Sequence, residues 1–190
     1  MALTKFSGEF NAYNYAYGVN PDIPAFEVIA GNNAAGTYGV TLGLGQVSTP
    51  DGRIVQPAVG VPITIGSGAS TEVVTPTSVV NLTPTQYGTC IITAVFGFGH
   101  GQGDLVRSGD FGLQEAATAA KNYGGGLVVL DAKFFQAAGL TTSAGLTTYL
   151  ATFNSLSAAV KILNWSGLAG ALAYGAAAAS PYASTGVALY

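Results

Sequence analysis

Apolar and polar positions alternate in short runs through the first half of the chain, and Gly, Pro, Ser and Asn punctuate the runs. Thr37–Ser48 (TYGVTLGLGQVS) is rich in β-branched and aromatic residues. Thr49-Pro50-Asp51-Gly52 then offers a tight turn, and Arg53–Val59 (RIVQPAV) reads as the return strand of a hairpin. Val61–Gly66, Thr71–Val80 and Tyr87–Phe98 continue the pattern. Pro57, Pro62, Pro76 and Pro84 fall at strand ends or edges, where a missing N–H is tolerated. Short strands at this spacing predict a small antiparallel sandwich or barrel over residues 1–100.

The character changes after Phe98. Gly97-Phe98-Gly99-His100-Gly101-Gln102-Gly103-Asp104 is a glycine-dense loop and marks the expected boundary with a second domain, 101–190. Gly112–Asn122 reads as a helix, because Leu113, Ala116, Ala117 and Ala120 recur on one helical face. Asp110 precedes it, where a carboxylate favours a helix start, and Gly124-Gly125-Gly126 supplies the stop. Leu127–Asp131 (LVVLD) reads as a short buried strand. Leu146–Trp165 carries helical spacing but strand-favouring threonines, and short strands are expected near Tyr149–Phe153 and Val160–Trp165. The Ala/Gly/Ser tail, Gly167–Tyr190, is expected to need a neighbour for order. The fold class is therefore mainly β with a minor α component: an antiparallel β-sandwich or barrel followed by a small α/β unit.

Charge narrows the range of functions. Of 190 residues only 8% are charged, against a usual value of about 25%, while 49% are hydrophobic. Six Lys+Arg against nine Asp+Glu leave a net charge of -3, which gives no electrostatic grip on a nucleic acid. A surface this poor in charge is suited to burial against copies of itself or against other subunits. A Thr/Ser/Asn-rich surface, polar without charge, is the alternative. One cysteine excludes an internal disulfide framework. Met1–Phe10 lacks the apolar run of a signal peptide, and Gly167–Ala179 is too short to span a bilayer, so synthesis in a cytoplasm and no membrane partner are expected.

Candidate chemistry is sparse. One His and one Cys fall short of a zinc ligand set, and neither a metal nor a cofactor is expected. Cys90, in the apolar run Thr89–Thr93, reads as a buried structural thiol. His100, Asp104, Asp110 and Ser108 could be assembled into a hydrolytic group, but no nucleophile elbow accompanies them. The glycines at 97, 99, 101 and 103 fit neither a P-loop nor a dinucleotide fingerprint, and suit a linker or tight backbone packing better. Asp104, Asp110 and Glu115 leave open a carboxylate pair for glycoside hydrolysis. Against that, Glu115 reads as a solvated helix residue and Asp110 as a cap. Tyr13, Tyr15 and Tyr17 alternate, which on an extended segment sets three rings on one face for a glycan or for a neighbouring subunit.

Residues 103–117 (GDLVRSGDFGLQEAA), continuing through Gly124–Asp131 (GGGLVVLD), resemble a segment of tailed-bacteriophage structural proteins. In pectate-lyase-like tailspikes a similar helix–GGG–strand unit caps a parallel β-helix. Tyr87–Ala94 and Gly99–Asp104 are similar to the β-domain lead-in of such proteins. The resemblance covers about a quarter of the chain. The residues after Asp131 are too few for a β-helix, so no catalytic residues carry over. The resemblance implies a virion component made in the host cytoplasm: a capsid decoration, head fibre, spike or tail subunit with a small α/β capping unit and no enzymatic activity. Its expected partners are copies of itself, as a trimer or ring, and other virion proteins. Tyr13, Tyr15, Tyr17, Leu113, Ala117, Gly124 and Trp165 are the assembly and packing candidates. The alternative is a carbohydrate-binding or depolymerising receptor-binding protein, whose partner is a host-surface glycan.

Overall fold

The computed structural model describes residues 8–50, 52–82, 88–123, 126–140, 145 and 160–164. The chain divides into two compact units: Asn14–Gly112, and Met1–Tyr13 together with Leu113–Tyr190. The fold is mainly β with few helices, as the alternating pattern predicts.

The inner unit is one curled antiparallel sheet, a half-barrel of seven strands. Its strands are β2 (Phe26–Ala30), β3 (Gly36–Leu42), β6 (Ile63–Ile65), β7 (Glu72–Val74), β8 (Ser78–Asn81), β9 (Cys90–Phe96) and β10 (Leu105–Ser108). They are ordered β7-β6-β10-β2-β3-β9-β8. Alternation sorts the side chains: Val40 and Leu42 of β3, and Cys90, Ile92, Ala94 and Phe96 of β9, are buried, while the residues between them face outward. Phe26, Val28, Ile63, Ile65 and Val106 extend the same core. The pairing of β2 with β3 slips between Val28 and Ala30, an irregularity of the kind that bends a sheet.

Of the predicted hairpin only two residues in each arm pair, β4 (Val47–Ser48) with β5 (Ile54–Val55). The first part of the arm read as one strand over Thr37–Ser48 belongs to β3, which pairs with β2 and β9 instead. Thr49 closes the short hairpin, its hydroxyl accepting the Arg53 N–H at 2.9 Å. Thr71–Val80, read as one run, is split at Pro76 into β7 and β8, which lie on opposite edges of the sheet.

The expected boundary at residues 97–104, and with it the division into 1–100 and 101–190, does not coincide with the units observed. β10 follows that loop and pairs with both β2 and β6 near the middle of the sheet. Within the loop Gly99 serves close backbone packing, Gly97 and Gly101 face side chains only, and Gly103 takes φ +91°. A Cβ on Gly99 would stand 2.3 Å from the Asn33 carbonyl carbon.

The outer unit begins with β1 (Gly8–Asn11) and resumes at α1 (Leu113–Asn122), β11 (Gly126–Leu130), α2 (Ala132–Ala137) and β12 (Val160–Asn164). β11 pairs in parallel with β1 on one side and β12 on the other. Val128, Val129 and Leu130 are all buried, as both faces of a parallel strand usually are. α1 lies against β11 and β1, with Leu113, Ala116, Ala117 and Ala120 inward as their spacing predicts. In chain order the seven-stranded unit is thus an insertion between β1 and the helix of a β–α–β arrangement. Gly124, Trp165 and the strand expected at Tyr149–Phe153 lie outside the described residues, as does the tail. No helix among the described residues is long and apolar enough to cross a membrane.

Candidate functional site

Among the described residues a dense polar constellation gathers where the curl of the sheet brings the β7 edge to the end of β9. His100 sits just past β9 and is completely buried. Its Nε2 lies 2.8 Å from Glu72 Oε1, and its Nδ1 lies 3.1 Å from Asp104 Oδ2. Glu72 accepts two further hydrogen bonds, from the amides of Gly97 at 2.8 Å and Phe98 at 3.0 Å. Asp104 accepts from the Gly101 amide at 3.3 Å and the Ser67 hydroxyl at 3.2 Å. The His100 amide donates to Asn32 O at 2.7 Å and to the Tyr38 hydroxyl at 2.9 Å, and that hydroxyl donates to Phe98 O at 2.8 Å. The Phe96 ring meets the imidazole edge-on at 5.4 Å.

Backbone shape makes room for the imidazole. Gly66 has φ +101°, and a Cβ there would stand 2.9 Å from His100 Cε1 and 2.6 Å from Ser70 O. The sequence folds this way because β6 must end and turn beside the ring.

The protonation chemistry follows from the donor inventory. A neutral imidazole offers one N–H, whereas this ring faces a carboxylate at each nitrogen. Each ring nitrogen therefore depends on the charge of the carboxylate it faces, Glu72 at Nε2 and Asp104 at Nδ1. Burial raises the Glu72 pKa, but the Gly97 amide, the His100 side chain and the Phe98 amide together outweigh it and hold the pKa below its ordinary value of 4.5. Burial also raises the Tyr38 pKa, which the His100 amide partly offsets and the charges of Glu72 and Asp104 reinforce.

His100 and Asp104, grouped by sequence as part of a hydrolytic set, do meet. Ser108 and Asp110 belong to another network. The Ser108 hydroxyl donates to Asp110 Oδ1 at 3.0 Å, and the Gly112 amide donates to that oxygen at 3.1 Å and to Ser108 Oγ at 2.8 Å. Asp110 therefore ties the turn that precedes α1, a turn in which Phe111 takes φ 58°. Glu115, expected on the solvated side of the helix, is instead buried, because the first turn of α1 is covered on that side as well as along its alanine face. Among the described residues no group of three or more His, Cys, Asp or Glu could hold a metal ion.

The tyrosine row is also different from expectation. Ala12–Tyr15 forms a 3-10 turn, initiated where Asn11 Oδ1 accepts the Tyr13 amide at 3.0 Å, so the three rings do not share one extended face. Tyr15 and Tyr17 are buried in the inner unit; Tyr17 packs edge-on against Phe26 at 4.9 Å, and Arg53 reaches the Tyr15 hydroxyl. Tyr13, half-buried in the outer unit, lies under Lys133 with Nζ 5.9 Å from the ring centre. The aromatic platform expected for a glycan is therefore not formed by these residues.

Sequence reasoning missed Glu72, although a signal was present: it is the only Asp, Glu, Lys or Arg between Arg53 and Asp104. It also missed α2, signalled by Asp131. That carboxylate caps the helix through the Phe134 amide at 2.9 Å and accepts from Asn11 Nδ2 at 2.8 Å.

No family model matches the chain, and neither a curated protein nor a solved structure matches it. None of these comparisons bears on the expected resemblance to phage proteins.

Proposed function

We propose that the protein is a structural subunit that acts by burying surface in an assembly. In keeping with the resemblance, the assembly is a phage particle, with the chain as capsid decoration, head fibre, spike or tail component. The observation that carries the reading is the outer face of β8, β9 and β3. Val95 is 66% exposed and Val80 50%, and Val80 pairs with half-buried Ile91, beside Thr41. None of these three strands contains a charged residue, and β8 is a sheet edge. An uncharged apolar edge is the feature that free-standing proteins guard against and assembling ones use. The reading gives the His100 cluster a structural task and no catalysis.

Light scattering on the purified chain tests this. The expected result is a mass that is a multiple of 19.1 kDa at micromolar concentration, reduced to the monomer by Val80→Lys combined with Val95→Lys. A wild-type monomer would defeat the assembly reading. Quantitative mass spectrometry of purified particles tests the virion: many copies indicate decoration, a few indicate tail or spike, and none removes the particle from the proposal.

A further inference from the structure

The His100 cluster joins parts of the sheet that strand pairing leaves separate. Glu72 opens β7, an edge strand paired only to β6, through three residues, Ile63↔Val74, Thr64↔Val73 and Ile65↔Glu72. The carboxylate of Glu72 reaches across the curl to the Gly97 and Phe98 amides at the end of β9, and to His100. Asp104, one residue before β10, holds the other side of the same ring. Within β7, Val73 is 64% exposed and Val74 alone lies in the core.

We propose that Glu72, His100 and Asp104 form a proton-operated clasp, whose protonation in acid frees the β7 edge and the 97–104 loop while the rest of the sheet stays paired. The charge balance gives the direction. Among the described residues the titratable groups facing the ring are Glu72 from β7, Asp104 from the loop before β10, and the Tyr38 hydroxyl from β3 through the His100 amide. Phe96 of β9 contributes an uncharged ring, and Ser67 a hydroxyl to Asp104. Among the described residues no Lys or Arg forms an ion pair with either carboxylate. Protonation of Glu72 takes away the carboxylate that holds the fully buried ring at Nε2, and a buried polar contact that has lost its charged partner is relieved by opening. Neutral Glu72 also loses the charge assistance of two amide hydrogen bonds. Opening bares the backbone edge of β6, which another strand could then join.

The sign agrees with the titration of Glu72. Its folded pKa lies below 4.5, so the stabilisation is complete above that value and is lost as pH falls through the folded pKa. Over that window the opening constant grows roughly tenfold per pH unit and then levels off.

Hydrogen exchange on the full chain, corrected for intrinsic rates, tests the proposal between about pH 7 and about pH 3. Protection at 72–74 and 97–104 should fall in the acid window while β3 and β9 amides (37–41 and 91–95) remain protected. Glu72→Gln should bring the first set, already at neutral pH, to the level that the wild type reaches in acid. Asp104→Asn should open the clasp at higher pH than the wild type. Unchanged wild-type protection, loss at all these amides together, or a wild-type acid profile in Glu72→Gln would each overturn the clasp. Should Glu72→Gln fail to fold, the wild-type contrast between the two sets of amides still decides.

Discussion

At Cys90, burial sets the chemistry. The side chain faces inward from the first position of β9 with no exposed surface, and its thiol is pushed up to about 11 by burial. A thiolate is the reactive form, so at neutral pH this sulfur is both un-ionised and out of reach. A disulfide reagent should leave the native protein unlabelled and modify one thiol in denaturant; stoichiometric labelling of the folded chain would contradict the placement of β9. This residue was legible from its setting, TCIIT, because an apolar strand around a single cysteine has few other meanings. His100 was legible only in half. Local sequence supplies Asp104, four positions on, but its second partner comes from 28 residues upstream, a distance that only the curl of the sheet closes. The tyrosines misled for a related reason. Alternation implies a common face only if the backbone is extended, and the Asn11 side chain starts a 3-10 turn instead.

Among the elements, α1 and α2 show how much depends on small contacts. Ala116, Ala117 and Ala120 let α1 settle close to β11 and β1, with Ala117 only 4% exposed. Ala117→Leu adds bulk where no space is held open and should cost about 1–3 kcal/mol. Thr118→Leu places similar bulk on the exposed side of the same turn and should change stability by no more than about 0.5 kcal/mol. Equal melting temperatures for the two variants would mean that α1 does not pack by its alanine face. Asp131→Ala removes both the α2 cap and the acceptor of Asn11, and should cost on the order of 1–2 kcal/mol in a denaturant titration. Helix α1 and strand β11 were legible because a 3.6-residue period and an apolar run are local signals. Strands β2 and β10 were not. Each is short, is bounded by prolines or glycines, and gains its place from partners elsewhere in the chain: β10 from β2 and β6, β2 from β3 and β10.

On the scale of the whole molecule, the order of the units along the chain matters more than their composition. Residues on both sides of Asn14–Gly112 belong to one α/β unit, and the seven-stranded sheet is spliced between β1 and α1. Composition offers no view of this, because β1 meets β11 more than a hundred positions away, a pairing without local signature. The inner unit, however, is self-contained. Every ladder of its seven strands runs to another strand of the same unit, its buried aromatics Tyr15, Tyr17, Phe26 and Phe96 are its own, and so are all three groups of the clasp. The unit is also of a size at which one sheet with its own core folds independently. A fragment limited to residues 14–112 should therefore fold. It should show a cooperative urea transition, keep Cys90 protected from the disulfide reagent, and lose protection at 72–74 in acid ahead of β3 and β9. The converse fragment, lacking β1, should fail, because β11 would lose one of its two parallel neighbours. If 14–112 is unfolded while the full chain is not, the sheet draws its stability from the flanking unit and the insertion is not a separable domain. If it folds but labels at Cys90, the half-barrel needs that unit to stay closed.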